Sequence, residues 1–166
     1  MQSAMMRAFT MIIGAINLTL ILNGVITNQE QLLGEVNKQD LQYLAGAMEI
    51  ENGNETNAPY DDMMRLLLTG SVILNRVKSS KWNGDTIEEV ILAKDGGFIQ
   101  YASVTRDGFK TKKAKERTIL LAKYLLIYGP ICPESVVYQG QNPSCGSGIY
   151  KSIPVKGDKD EFFCFQ

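Results

Sequence analysis

The sequence has no histidine. That absence removes Ser–His and Cys–His nucleophile pairs, histidine-ligated zinc centres and imidazole general bases together. Any catalysis must run on carboxylates, hydroxyls, amides or thiols. An excess of one charge is also missing: 17 Lys and Arg stand against 18 Asp and Glu, for a formal net charge of −1. A nucleic-acid binder's basic surplus is absent, so no nucleic-acid partner is expected. Cysteine is scarce, and Cys132, Cys145 and Cys164 form no C-x-x-C pair. A zinc or dithiol redox centre is therefore not expected, and no metal or cofactor is called for. One disulfide with a spare thiol is the plain expectation, and both Cys132–Cys145 and Cys145–Cys164 fit it. Repeats and low-complexity tracts are lacking as well.

What is present is ordinary for one globular domain: 166 residues, 45% hydrophobic and 21% charged. The first stretch differs in texture. Ala8 to Thr27 carries no charge, follows Arg7 and gives way to Asn28-Gln29-Glu30-Gln31. At about 20 residues it just reaches across a bilayer, although Thr10, Asn17, Thr19 and Asn23 dilute it. Residues 1–28 are read as a signal-anchor or docking helix, either uncleaved, removed as a signal peptide, or packed as an apolar helix on a larger assembly. Residues 29–166 are read as the globular domain.

Within that domain, Leu41, Leu44, Ala45 and Met48 recur at helical spacing before the stop cluster Asn52-Gly53-Asn54, predicting a helix over about 38–51. A second helix starts after Pro59, with Asp61 or Asp62 as its cap, and runs through Val77; Gly70-Ser71 in its middle implies close helix packing. Thr86-Ile87-Glu88-Glu89 has the form of a capping box and opens a short helix to about Leu92, stopped by Asp95-Gly96-Gly97. A fourth covers about 111–128 and ends at Gly129-Pro130. Val136 to Gln139, Gly148 to Ile153 and Glu161 to Phe165 are short runs of β-branched and aromatic residues and predict antiparallel strands. Helices first and a small sheet last indicate α+β.

Glu51 extends the Leu41, Leu44, Met48 stripe, so the first helix aims a carboxylate at the core from its C-terminal end. Partial burial and the negative helix end both raise such a group's pKa, toward the ~6 that suits a general acid. Glu49 is off the stripe. Asn75 and Arg76 close a buried helix, where Asn75 either ties loop backbone together or orients the carboxylate or a sugar hydroxyl. Phe98-Ile99-Gln100-Tyr101 and Val137-Tyr138-Gln139-Gly140-Gln141 combine aromatic faces with amides, the mixture that suits carbohydrate, and mark Gln100, Tyr101, Tyr138, Gln139 and Gln141 as candidate substrate contacts. Lys110, Lys112, Lys113, Lys115, Arg117 and Lys123 read as a solvated basic face. Trp82 reads as a loop aromatic pinning a helix end.

The strings Asp40-Leu41-Gln42-Tyr43-Leu44-Ala45, then Glu51, then Thr69-Gly70-Ser71-Val72-Ile73-Leu74-Asn75-Arg76-Val77-Lys78-Ser79 and Thr86-Ile87-Glu88-Glu89-Val90-Ile91 come in that order. Together with Gly96-Gly97-Phe98 and the ending from Val136 to Cys164, they resemble the SleB/CwlJ-type cell wall hydrolase family. That family is named for spore-cortex-lytic enzymes of Gram-positive bacteria and occurs in their phages. The resemblance covers about 40–166; the family's acidic-alanine-arginine-glycine surroundings of the glutamate are here Glu51-Asn52-Gly53-Asn54. It implies a lysozyme-like fold, peptidoglycan as partner, an extracytoplasmic or virion location, and Glu51 as the single catalytic glutamate. It also implies glycan-strand cleavage of the lytic transglycosylase kind. Ordinary glycosidases need two carboxylates, and no second acid lies on an equally apolar stripe. Two alternatives stand beside this: a hydrolytic muramidase or glucosaminidase with Asp61, Asp62, Asp95 or Asp107 as second acid, and a non-catalytic glycan-binding virion or spore component.

Overall fold

A computed structural model describes residues 36–52, 59–79, 81, 84–95, 98–99, 101, 114–157 and 159–166. Helix α1 (Lys38–Glu51) begins at Asn37, whose side-chain oxygen accepts from the backbone N–H of Gln39 at 2.8 Å and of Asp40 at 3.3 Å. It ends at Asn52, whose amide folds back to donate to the Met48 carbonyl at 2.7 Å and so satisfies a helix-end acceptor. Helix α2 (Pro59–Lys78) starts at the proline itself. Proline lacks the N–H that a first helical residue leaves unused, so Asp61 and Asp62 fall in the first turn and are not its cap. In α3 (Ile87–Leu92) the expected capping box is present: the Thr86 hydroxyl accepts from Glu89 N–H at 3.2 Å and Thr86 N–H donates to the Glu89 carboxylate at 3.1 Å. Helix α4 (Glu116–Tyr128) begins later than the sequence pattern suggests, since Ala114 and Lys115 are not helical. Gly129, at φ 87°, ends it in a conformation that suits glycine.

A two-residue ladder, β1 (Lys94–Asp95) with β2 (Phe98–Ile99), flanks Gly96-Gly97. Pairs this short leave no periodic signal, and the sequence reading has only a helix stop there. Strands β3 (Val136–Gly140), β4 (Gly148–Val155) and β5 (Lys159–Phe165) form the predicted antiparallel sheet in the order β3-β5-β4, with β4 and β5 longer than their sequence runs. The architecture is α+β: among the described residues, four helices and a small three-stranded antiparallel sheet.

Helix α2 is the wall common to both parts. Leu67 and Ile73 pack with Leu44 and Met48 of α1, Ile91 of α3 and Leu125 of α4. Leu68 and Val72, on another face of the same helix, pack with Val136, Ile153 and Phe163 of the sheet and with Cys132. Gly70 is where helices come closest: a Cβ there would lie 2.8 Å from the Met48 sulfur and would also collide with Leu125. Only glycine allows that approach, as the Gly70-Ser71 pair suggests. Ser71 stitches the chain after α4 to this wall, accepting from Ile131 N–H at 3.0 Å while donating to the Leu67 carbonyl. Cys145 bridges to Cys164 and leaves Cys132 free and buried, choosing between the two pairings that the sequence leaves open. Residues 36–166 form one compact unit. The apolar run 8–27 lies outside the described residues, among which no helix is long and apolar enough to cross a membrane.

Candidate active site

Glu51 is the last residue of α1 and is half-buried. Two routes of contact lead from it to β3. Along the first, Arg65 of α2 donates from Nη2 to the Glu51 carbonyl oxygen at 3.1 Å, while its Nε donates to the carboxylate of Glu161 on β5. Glu161 in turn accepts from the side-chain amide of Gln139 on β3 at 2.6 Å. Along the second, Glu51 acts electrostatically on Tyr101, whose ring lies 5.2 Å from the Arg76 guanidinium; Arg76 Nε donates to the Val137 carbonyl at 2.7 Å. Burial pushes the Tyr101 hydroxyl above its ordinary pKa; the Arg76 charge opposes the rise and the Glu51 charge adds to it. Tyr101 is therefore a neutral hydroxyl at any physiological pH, and its oxygen has no protein hydrogen-bond partner.

The reason these residues meet is visible in their periodicity. Arg65, Leu68, Thr69 and Val72 lie three, four and seven residues apart on α2 and are all buried. On β5, Glu161 and Phe163 share strand parity and are both buried. A cation on one apolar face and an anion on the other are brought together where the faces meet. Buried charges of this kind persist only when paired, and Gln139 satisfies a further oxygen of the pair. Neither Arg65 nor Glu161 stands out in the sequence reading. The signal that finds them is a charge occupying a core-parity position in each element.

No family model, curated protein or solved structure matches the chain. The site therefore has to be judged on its own geometry.

Of the residues singled out from sequence, Glu51, Tyr101 and Gln139 are brought into one neighbourhood, linked as above. Tyr138, half-buried, lies beside Gly146, where an added Cβ would sit 2.9 Å from its ring. Gln141 is exposed just past β3, and Gln100 lies outside the described residues. Asn75 takes the structural of its two possible roles: its amide donates to the carbonyls of Pro133 at 2.8 Å and Val136 at 3.0 Å, and meets the Cys132 sulfur at 3.5 Å. Asp61 and Asp62 are half-buried in the first turn of α2, Asp95 falls on β1, and Asp107 lies outside the described residues.

Two expectations need correction. Glu49, off the main stripe, is more buried than Glu51 because α4 packs on that side of α1 and supplies it with partners. Lys123 is buried, so it does not belong to a solvated basic face, although Lys115 and Arg117 are exposed; Lys110, Lys112 and Lys113 lie outside the described residues, as does Trp82. Among the described residues no group of three or more Cys, Asp or Glu side chains is arranged to hold a metal ion.

Proposed function

We propose that this protein cleaves the glycan strand of peptidoglycan as a lytic transglycosylase, on a lysozyme-like scaffold, with Glu51 as general acid and then base. One observation carries the reading. Glu51 ends a helix at the junction of helices and sheet, while the other carboxylate of its cluster, Glu161, is spent on Arg65 and Gln139. An acid engaged in a buried ion pair is a poor nucleophile or water-activating base, which favours chemistry that needs only one free carboxyl group.

Such chemistry is available to a muramyl sugar. Glu51 donates its proton to the glycosidic oxygen as the bond from the anomeric carbon breaks. The sugar's own primary hydroxyl attacks that carbon and returns its proton to the Glu51 carboxylate, so the acid is regenerated and an anhydro ring closes. Water takes no part and no cofactor is needed. The neutral hydroxyl of Tyr101 and the amide of Gln139 are suited to sugar hydroxyls beside the reacting bond. The resemblance to SleB/CwlJ-type hydrolases supports the same assignment and an extracytoplasmic or virion setting, where residues 8–27 serve as anchor or docking segment.

The test is a digest of purified peptidoglycan, read by mass spectrometry, with wild type and Glu51→Gln. Anhydromuramyl ends, each lighter by one water than a hydrolytic end, are expected from wild type. Glu51→Gln should lose at least ~10²-fold in rate, as removal of a positioned acid does, while remaining folded and retaining glycan binding. Reducing ends would overturn the transglycosylase step in favour of a hydrolase. Binding without cleavage by wild type would make the protein a glycan-binding component.

A further inference from the structure

We propose that Arg65 and Glu161 form a charge-balanced positioning pair that fixes the Glu51 end of α1 against the sheet without forcing the Glu51 carboxyl to ionise; this rests on the reading of Glu51 as general acid. The geometry has two parts. Arg65 holds the backbone carbonyl of Glu51 at 3.1 Å, so the guanidinium lies no further from the Glu51 carboxyl than that side chain's own length beyond the contact. Its Nε is bonded to Glu161, itself fixed by Gln139 from β3 at 2.6 Å. Residues from α1, α2, β3 and β5 thus converge on one guanidinium.

A lone arginine in this place would be harmful to an acid catalyst. A buried positive charge beside a carboxyl stabilises the carboxylate and takes away the proton that must be donated. Glu161 cancels that charge, so the arginine keeps its hydrogen bond to the helix end while its field at Glu51 is reduced. Other groups around Glu51 leave the balance in place. Tyr101 is neutral; Arg76 of α2 stacks on that ring and bonds Val137; Asp61 and Asp62 lie one turn before Arg65 on the same helix. Glu49 on α1 is compensated by Lys115.

The pair therefore makes a prediction that simple bracing does not. In Glu161→Gln the guanidinium is uncompensated, Glu51 loses its proton at lower pH, and the alkaline limb of the kcat profile moves to lower pH by about one unit or more. In Arg65→Gln the Glu161 anion is uncompensated and the limb moves the opposite way. The double variant Arg65→Gln/Glu161→Gln removes both charges; its limb returns to the wild-type position, but kcat falls about tenfold to a hundredfold for loss of aim, with little change in KM. The experiment measures release of soluble glycan fragments against pH for wild type, the two single variants, the double variant and Glu51→Gln, with circular dichroism on each.

Opposite displacements of the limb in the single variants are the expected result. Limbs that stay in place, or that move the same way, while Glu51→Gln is inactive overturn the pairing and spare the function. Near-normal activity in Glu51→Gln overturns the function and the pairing with it. Should a single variant fail to fold, the double variant decides, because replacing both members of a buried pair is far better tolerated than removing one: a wild-type kcat there overturns the proposal.

Discussion

The Thr118 hydroxyl donates to the carboxylate of Glu49 at 2.6 Å, so the first turn of α4 is capped by a residue of α1. The same carboxylate accepts from the backbone N–H of Lys115 at 3.3 Å and faces its ammonium group at 3.5 Å. Lys115, at the N-cap position, offers no side-chain acceptor of its own. An acid from a neighbouring helix supplies both the missing acceptor and a negative charge at the positive helix end. This sets Glu49 apart from Glu51, two residues on: one carboxylate is consumed by structure and the other is left for chemistry.

Glu49→Gln should destabilise the protein near neutral pH by about 1–2 kcal/mol, the scale of a charge-assisted hydrogen bond and a helix cap. Burial acts to raise the Glu49 pKa, but the hydrogen bonds from Thr118 and Lys115 and the Lys115 charge outweigh it and hold the pKa below its ordinary value. A carboxyl depressed in the folded state contributes stability above its unfolded pKa and loses it as pH falls through the folded value. Denaturant unfolding of wild type and variant should therefore differ at neutral pH and converge in acid below the ordinary glutamate range. A gap that persists undiminished there would show that the charge is not what the contact supplies.

Asn75→Ala should cost about 2–3 kcal/mol, because the carbonyls of Pro133 and Val136 lose a shared donor inside the protein. The loss should appear as a lower melting temperature, with cleavage per folded molecule close to wild type. A variant that melts normally but cleaves poorly would return Asn75 to the substrate.

The three cysteines should divide two to one. Unreduced protein in denaturant is expected to titrate one thiol and native protein none, since burial pushes the Cys132 pKa up to about 11 and encloses the thiol. Replacing Cys145 and Cys164 by serine should lower stability by about 3 kcal/mol, as expected for opening a loop of 19 residues' separation. A rapidly alkylated native thiol would contradict the assignment.

Much of the fold is written locally. The Leu44 and Met48 stripe, the Thr86–Glu89 box, Gly70 at a helix contact and the β-branched runs after Pro133 each depend on neighbours within a few residues, and each is legible. Glu51 is legible for the same reason, being an extension of its own helix's pattern. Arg65 and Glu161 are 96 positions apart, and nothing near either one announces the other; their meeting depends on the angle at which α2 crosses the sheet. Glu49 is hidden by a different cause. Helical periodicity identifies one buried face, whereas α1 has neighbours on more than one side, and the second neighbour is a helix end that attracts a carboxylate where a core would repel it.

The strand order β3-β5-β4 has a consequence for how the protein is born. β5 lies between two strands that are both synthesised before it, and those two do not pair with each other. While a ribosome is still making residues before 159, the helices can already close on one another, but β3 and β4 wait on either side of an empty lane, and Arg65 and Gln139 have no carboxylate to hold. Arrival of β5 fills the lane and delivers Glu161 in the same movement. On the proposed function, a chain carrying Glu51 stays harmless to its producer during synthesis and acquires its aim only when that strand slots in.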